Sequence, residues 1–75
     1  MNKNNLISLF DVSTRRKRRE STITIAAILK NIQWAEAEYR DRIPDNMQGG
    51  DAYIAADEAV DAIDDAICAV LCIFD

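Results

Sequence analysis

Two groups of side chains in this 75-residue chain are dense enough to do chemistry. Asp57, Glu58, Asp61, Asp64 and Asp65 bring five carboxylates into nine positions, and Arg15, Arg16, Lys17, Arg18 and Arg19 form an unbroken run of five cations. Carboxylates at helical spacing can solvate a face, or imitate nucleic-acid phosphates and occupy a basic groove on a DNA-binding or nuclease protein. Di-metal helical sites draw on Glu-x-x-His motifs. The chain has no His, so no metal site is assigned. The direct chemistry of the basic run is phosphate contact with DNA or RNA. No aromatic residue interleaves it and the net charge is -4, which makes nucleic-acid binding the alternative rather than the leading reading.

Three further residues carry reactive or anchoring side chains. Cys68 and Cys72, in a C-x₃-C arrangement, supply only half of a tetrahedral zinc shell. At i and i+4 of a helix their side chains stack along one face and rarely reach disulfide geometry. They are read as free, buried, apolar thiols, which fits a reducing cytosol. Trp34, the one tryptophan, either anchors a partner or covers the chain's own seam with a second copy. For catalysis there is no His, no Ser in a nucleophile context, no Gly-rich phosphate loop and too little chain for a walled pocket. No catalytic residue and no cofactor is assigned, and the chain is read as non-enzymatic.

Helices must position these groups. Tyr53, Ala56, Val60, Ile63, Ile67, Val70 and Phe74 recur at alternating spacings of three and four, the seam of a heptad helix expected over about 51–73. Asp51, after two glycines, suits its N-cap. Upstream, Ile25, Ile28, Leu29, Ile32, Ala35, Tyr39 and Ile43 form a second stripe, so 21–42 is also expected to be helical, ending where Pro44 removes a backbone donor. Its start is open: Ser21 can cap a helix there, or Ser13 a longer one. The five cations sit badly against the positive end of a helix beginning at Thr14, a conflict that a still longer helix reaching back to Asn4–Phe10, or a break near Asp11–Ser13, would relieve. A short separate turn or helix is expected at about 4–10, within a basic N-terminal segment 1–20 that precedes the hairpin 21–75. The intervening link is short enough to make the helices antiparallel neighbours, an all-α hairpin.

A domain this small buries only about 60% of the surface its unfolded chain exposes, and with disulfide and metal set aside, oligomerisation is the stabilising device that remains. Residues 1–35 carry seven bases and two acids, and residues 36–75 two bases and eleven acids, an asymmetry suited to pairing between chains. Ala52, Ala55, Ala59, Ala62, Ala66 and Ala69 flank the second helix's seam, and Ala66–Phe74 has no polar residue, so its last turns are apolar all round. On the first helix Ile23, Ala27, Trp34 and Ala37 form a weaker row away from the main stripe. Left exposed, such surfaces drive association. Ile63, Ala66, Ile67, Val70, Leu71 and Phe74 are the expected self-association residues, and a C₂ homodimer forming a four-helix-bundle-like assembly is the simplest closed answer. The patch Leu6, Ile7, Leu9, Phe10 is too short for a signal-peptide core, and no stretch reaches a membrane span. No membrane partner is expected.

The segment AEAEYRDRIPDNMQGGDAYIAADEAVDAIDDAI, with the turn Ile43, Pro44, Asp45, Asn46 followed by Tyr53, resembles the small uncharacterised helical-hairpin proteins of Firmicutes genomes and their phages. The resemblance covers residues 36–67. It implies a hairpin of phage or mobile-element origin without a catalytic role, in the cytoplasm of a host bacterial cell. With the acidic surface it suggests contact with a host or phage protein, as an inhibitor or nucleic-acid mimic directed at a defence or nucleic-acid enzyme, with Trp34 and the five carboxylates as the contact residues. The basic N-terminal twenty residues and the apolar end from Ala66 depart from the pattern. A structural assembly module is a further alternative.

Overall fold

Two helices and a short link account for the residues described, 11–75, in a computed structural model. Helix α1 spans Arg15–Asp41, a single 3₁₀ turn spans Asp45–Met47, and helix α2 spans Asp51–Leu71. No strand occurs among the described residues, and the helices pack along each other as a hairpin. The expected turn or helix at 4–10 lies outside the described residues.

Helix α1 begins six residues before the expected start at Ser21, and neither serine caps it. Thr14, in an extended conformation, accepts a hydrogen bond from the Lys17 amide through Oγ1 at 3.1 Å. That satisfies one of the orphan donors at the helix start. The backbone is non-helical over Asp11–Thr14, so the five cations do occupy the first turns of α1, at the positive end of its dipole. At the other end Pro44 stops the chain: α1 ends at Asp41, and the Arg42 amide closes the last turn onto Glu38 and Tyr39 carbonyls. Gly50, not Asp51, is the N-cap of α2 and makes no side-chain cap bond. Asp51 is instead the first helical residue, where its carboxylate faces the positive end of the dipole. Gly50 is there for closeness rather than for a left-handed backbone: a Cβ at that position would stand 3.2 Å from the Met47 carbonyl oxygen, which accepts its amide.

The seam read on α2 is the one that meets α1. Ala56 and Ile67 are buried, and Tyr53, Val60, Ile63, Val70 and Phe74 are half-buried. On α1 the facing row takes Leu29 from the expected stripe but not Ile25, Ile28 or Ile32. Ala26 is buried and Thr22, Leu29, Gln33, Ala37 and Arg40 are half-buried, again at spacings of three and four, whereas Ile25, Ile28, Ile32 and Tyr39 are 41 to 50% exposed. Two polar contacts explain the choice and fix the register. Gln33 Nε2 donates to the Val60 carbonyl at 3.1 Å, using its second lone pair, and Arg40 Nη1 donates to Asp57 Oδ1 at 2.8 Å. Rotating the isoleucines inward would turn both groups away from α2.

Only Ala26, Ala56 and Ile67 are buried among the described residues. Ile67 is the sole large side chain among them, so Ile67→Ala is expected to destabilise the fold by about 2–5 kcal/mol, and Ala56→Leu, which forces extra volume between the helices, by about 1–3 kcal/mol. Cys68→Ala on the exposed side should stay within about 0.5 kcal/mol. Urea unfolding followed by helical circular dichroism measures all three.

Candidate functional site

The two helices form a layer with two unlike faces. Successive residues of a helix turn by about 100°, so the side of each helix flanking the shared seam can be followed residue by residue. On one face Trp34, Lys30 and Ala37 of α1 stand beside Val60 of α2, lining a shallow groove of about 400 Å³ with Asn31 and Gln33. Asp57 and Asp64 border the same face, since Arg40 reaches the first and Gln33 Nε2 lies 3.5 Å from the second. Trp34 is 66% exposed, the most exposed large apolar side chain among the described residues. Farther toward the chain end a smaller groove of about 200 Å³ lies between Arg19, Thr22 and Ile23 of α1 and Leu71, Phe74 and Asp75. The tryptophan row Ile23, Ala27, Trp34, Ala37 therefore lies on the carboxylate side of the layer.

Of the five carboxylates, Glu58, Asp61, Asp64 and Asp65 are exposed. Asp57 is half-buried and already paired with Arg40, whose guanidinium also binds Asp41 Oδ1 at 3.0 Å. Asp41 first and Asp57 second raise the Arg40 pKa above its ordinary value, because both hydrogen bonds are to its charged form. Asp57 thus serves the hairpin, and the outward acidic surface is the other four. Sequence spacing could not show this, because the partner lies 17 residues away. Among the described residues no group of three or more Cys, Asp or Glu stands close enough to hold a metal ion.

The cationic run is used in part at the helix start. Asp11 Oδ1 accepts from the Ser13 amide at 2.9 Å and from its hydroxyl at 2.7 Å, and Asp11 Oδ2 pairs with Lys17 Nζ at 2.6 Å. Arg18 donates to the Val12 carbonyl at 3.0 Å, Arg16 lies 3.7 Å from Glu20, and Arg15 stacks 5.1 Å above the centre of the Phe74 ring. A carboxylate set just before the first turn offsets the repulsion between these cations and the helix dipole. Neither Asp11 nor its role was visible from the run itself.

The self-association residues divide. Ile67 is buried, and Ile63, Val70 and Phe74 are half-buried, all on the seam against α1, so they are used within the hairpin. Ala66 is half-buried and Leu71 exposed. Cys68 and Cys72 are free, as expected, but exposed rather than buried: Cys68 lies beside the seam on the carboxylate side, and Cys72 is the C-cap just past the end of α2. Comparison with known proteins returns no match: no family model, curated protein or solved structure matches the chain. Among the described residues no helix is long and apolar enough to cross a membrane.

The clamp on Asp11 has a pH signature. Hydrogen bonds from Lys17 and then from Ser13 hold its carboxyl well below the ordinary value of 3.8. A depressed folded pKa contributes stability that is present above 3.8 and is lost as the pH falls toward the folded value. Proton titration followed by carboxyl carbon NMR should place the Asp11 midpoint below 3.8, and Lys17→Ala should return it toward that value.

Proposed function

We propose that this chain is a non-enzymatic interaction protein that self-associates, presents its carboxylate and tryptophan face to a protein partner, and serves as an accessory factor of a phage or mobile element. The observation that carries the reading is the division of the two-helix layer into a charged face bearing exposed Trp34, Asp61 and Asp64 and an apolar face bearing exposed Ile25, Ile28 and Ile32. A protein built to bind needs such surfaces, and an exposed aromatic ringed by polar groups is the usual form of a contact anchor. Acid–base or nucleophilic chemistry draws on titratable groups shifted by burial, and no polar or charged residue is buried among those described.

In this reading Glu58, Asp61, Asp64 and Asp65 stand in for phosphates on the basic groove of a host defence or nucleic-acid enzyme in the bacterial cytoplasm, with Trp34 seated against its surface. Capture on the immobilised protein from a bacterial host lysate should retain a basic protein. Retention should be lost with Trp34→Ala and with Asp61→Asn/Asp64→Asn combined, and competed by duplex DNA. Retention indifferent to both variants would overturn the reading.

The rival is a small nucleic-acid-binding protein using Arg15, Arg16, Lys17, Arg18 and Arg19, of which the four arginines are exposed. A gel shift with DNA and RNA separates the two. Salt-sensitive binding abolished by alanine at all five positions would favour the rival; the expected result is no shift at moderate salt.

A further inference from the structure

The isoleucine row that α1 turns away from α2 is itself a complete heptad seam. Ile25, Ile28, Ile32, Ala35 and Tyr39 recur at three and four, centred about 100° around the helix from the row that faces α2. Helix α2 repeats the arrangement on the same side of the layer. Ala55, Ala59, Ala62, Ala66 and Ala69 recur at three and four, again about 100° from its seam with α1. A two-stranded coil needs one seam per helix, whereas each helix of a four-helix bundle contacts two neighbours and needs two seams about a right angle apart.

We propose that this face is covered by a second copy of the chain, with the isoleucine seam of each copy laid on the alanine seam of the other. The inference rests on the self-association part of the reading above and names its surface and pairing. The seam positions themselves carry no charge; Glu36, half-buried and about 40° round the helix from Ile32, is the one carboxylate of α1 that borders the contact, while Asp57, Asp61, Asp64 and Trp34 stay on the outside. From Ile25 to Tyr39 on α1 and from Ala52 to Ile73 on α2, the face projects roughly 500 Å² per copy at 1.5 Å rise and about 10 Å helix width. Knobs and holes raise the accessible surface above its projection, to the order of the ~800 Å² per partner that stable interfaces bury.

Size decides the pairing. A two-fold axis parallel to the helices sets α1 over the other copy's α2, so each large side chain meets a small one and all four axes keep similar separations. A perpendicular axis would set isoleucine on isoleucine and alanine on alanine, holding one helix pair apart and leaving the other loose. The contacts of Gln33 with Val60 and Asp64 fix the levels within each hairpin, and the parallel axis preserves them. Ile28 then lies level with Ala66 of the second copy, Ile32 with Ala62, Ala35 with Ala59 and Tyr39 with Ala55.

Sedimentation equilibrium at micromolar concentration should give the mass of a dimer, and Ile28→Asp should raise the dissociation constant about 100-fold or more. Trp34→Ala, on the other face, should leave it unchanged. A well-folded monomer would overturn both the inference and self-association. Because Ile28→Asp can also unfold a hairpin that depends on its dimer, a second measurement leaves the face intact. With Cys68 and Cys72 replaced by Ser, a chain carrying Ile32→Cys is co-refolded with one carrying Ala62→Cys and oxidised mildly. A disulfide between the two variants is expected. Self-linking of the Ile32→Cys chain, or a dimer in which neither link forms, would overturn the pairing while leaving self-association standing.

Discussion

A layer of two helices can shelter only the stripe that each turns toward the other, and every other feature of this molecule is arranged around that constraint. The sheltered stripe is narrow and, on α1, partly polar: Gln33 and Arg40 share it with Ala26 and Leu29. Polar groups at such a place give register rather than much stability, because a hydrogen bond in half-solvated surroundings contributes about 0.5–1.5 kcal/mol net. Gln33 on the Val60 carbonyl and Arg40 on Asp57 hold α1 at one rotation and one height against α2. The greasier residues of α1 are thereby committed to the outside, and the two faces of the layer acquire opposite character.

The helices themselves were legible in the residues because periodicity is a local property. The seam Tyr53 to Phe74 is the face that α2 turns to α1, and Pro44 ends α1 where its missing donor and its clash with the preceding residue require. The partner of each face was less legible. Helix α1 carries two rows of heptad spacing, and hydrophobicity alone favours the isoleucines, whereas the folded hairpin selects the row whose amide and guanidinium find acceptors on α2. That choice depends on Val60 and Asp57, far along the chain, so no window of α1 contains it.

The same distinction applies to the charged groups. Their exposure could be expected from spacing, and four of the five carboxylates between Asp57 and Asp65 do face solvent. Pairing is different: Asp57 with Arg40 and Asp11 with Lys17 are contacts of geometry. The cationic run looked incompatible with a helix start, and it is made tolerable by one carboxylate in the non-helical residues just before it. Cys68 and Cys72 illustrate the converse. A thiol's tendency to be buried is a statistical preference, and it gives way when the residue lies beside the seam rather than on it.

The sparseness of the buried set, Ala26, Ala56 and Ile67, bears on how the fold responds to heat and denaturant. Denaturant slopes and the heat capacity of unfolding both scale with the surface a chain hides. A hairpin that hides so little by itself has a shallow stability curve and a broad transition, with a temperature optimum that is poorly defined. If a second copy covers a whole face of the layer, buried apolar area is added without adding residues, which would steepen the slope, enlarge the heat capacity and make the melting temperature rise with protein concentration. The cell's supply of the chain would in that case become a thermodynamic variable of its own fold.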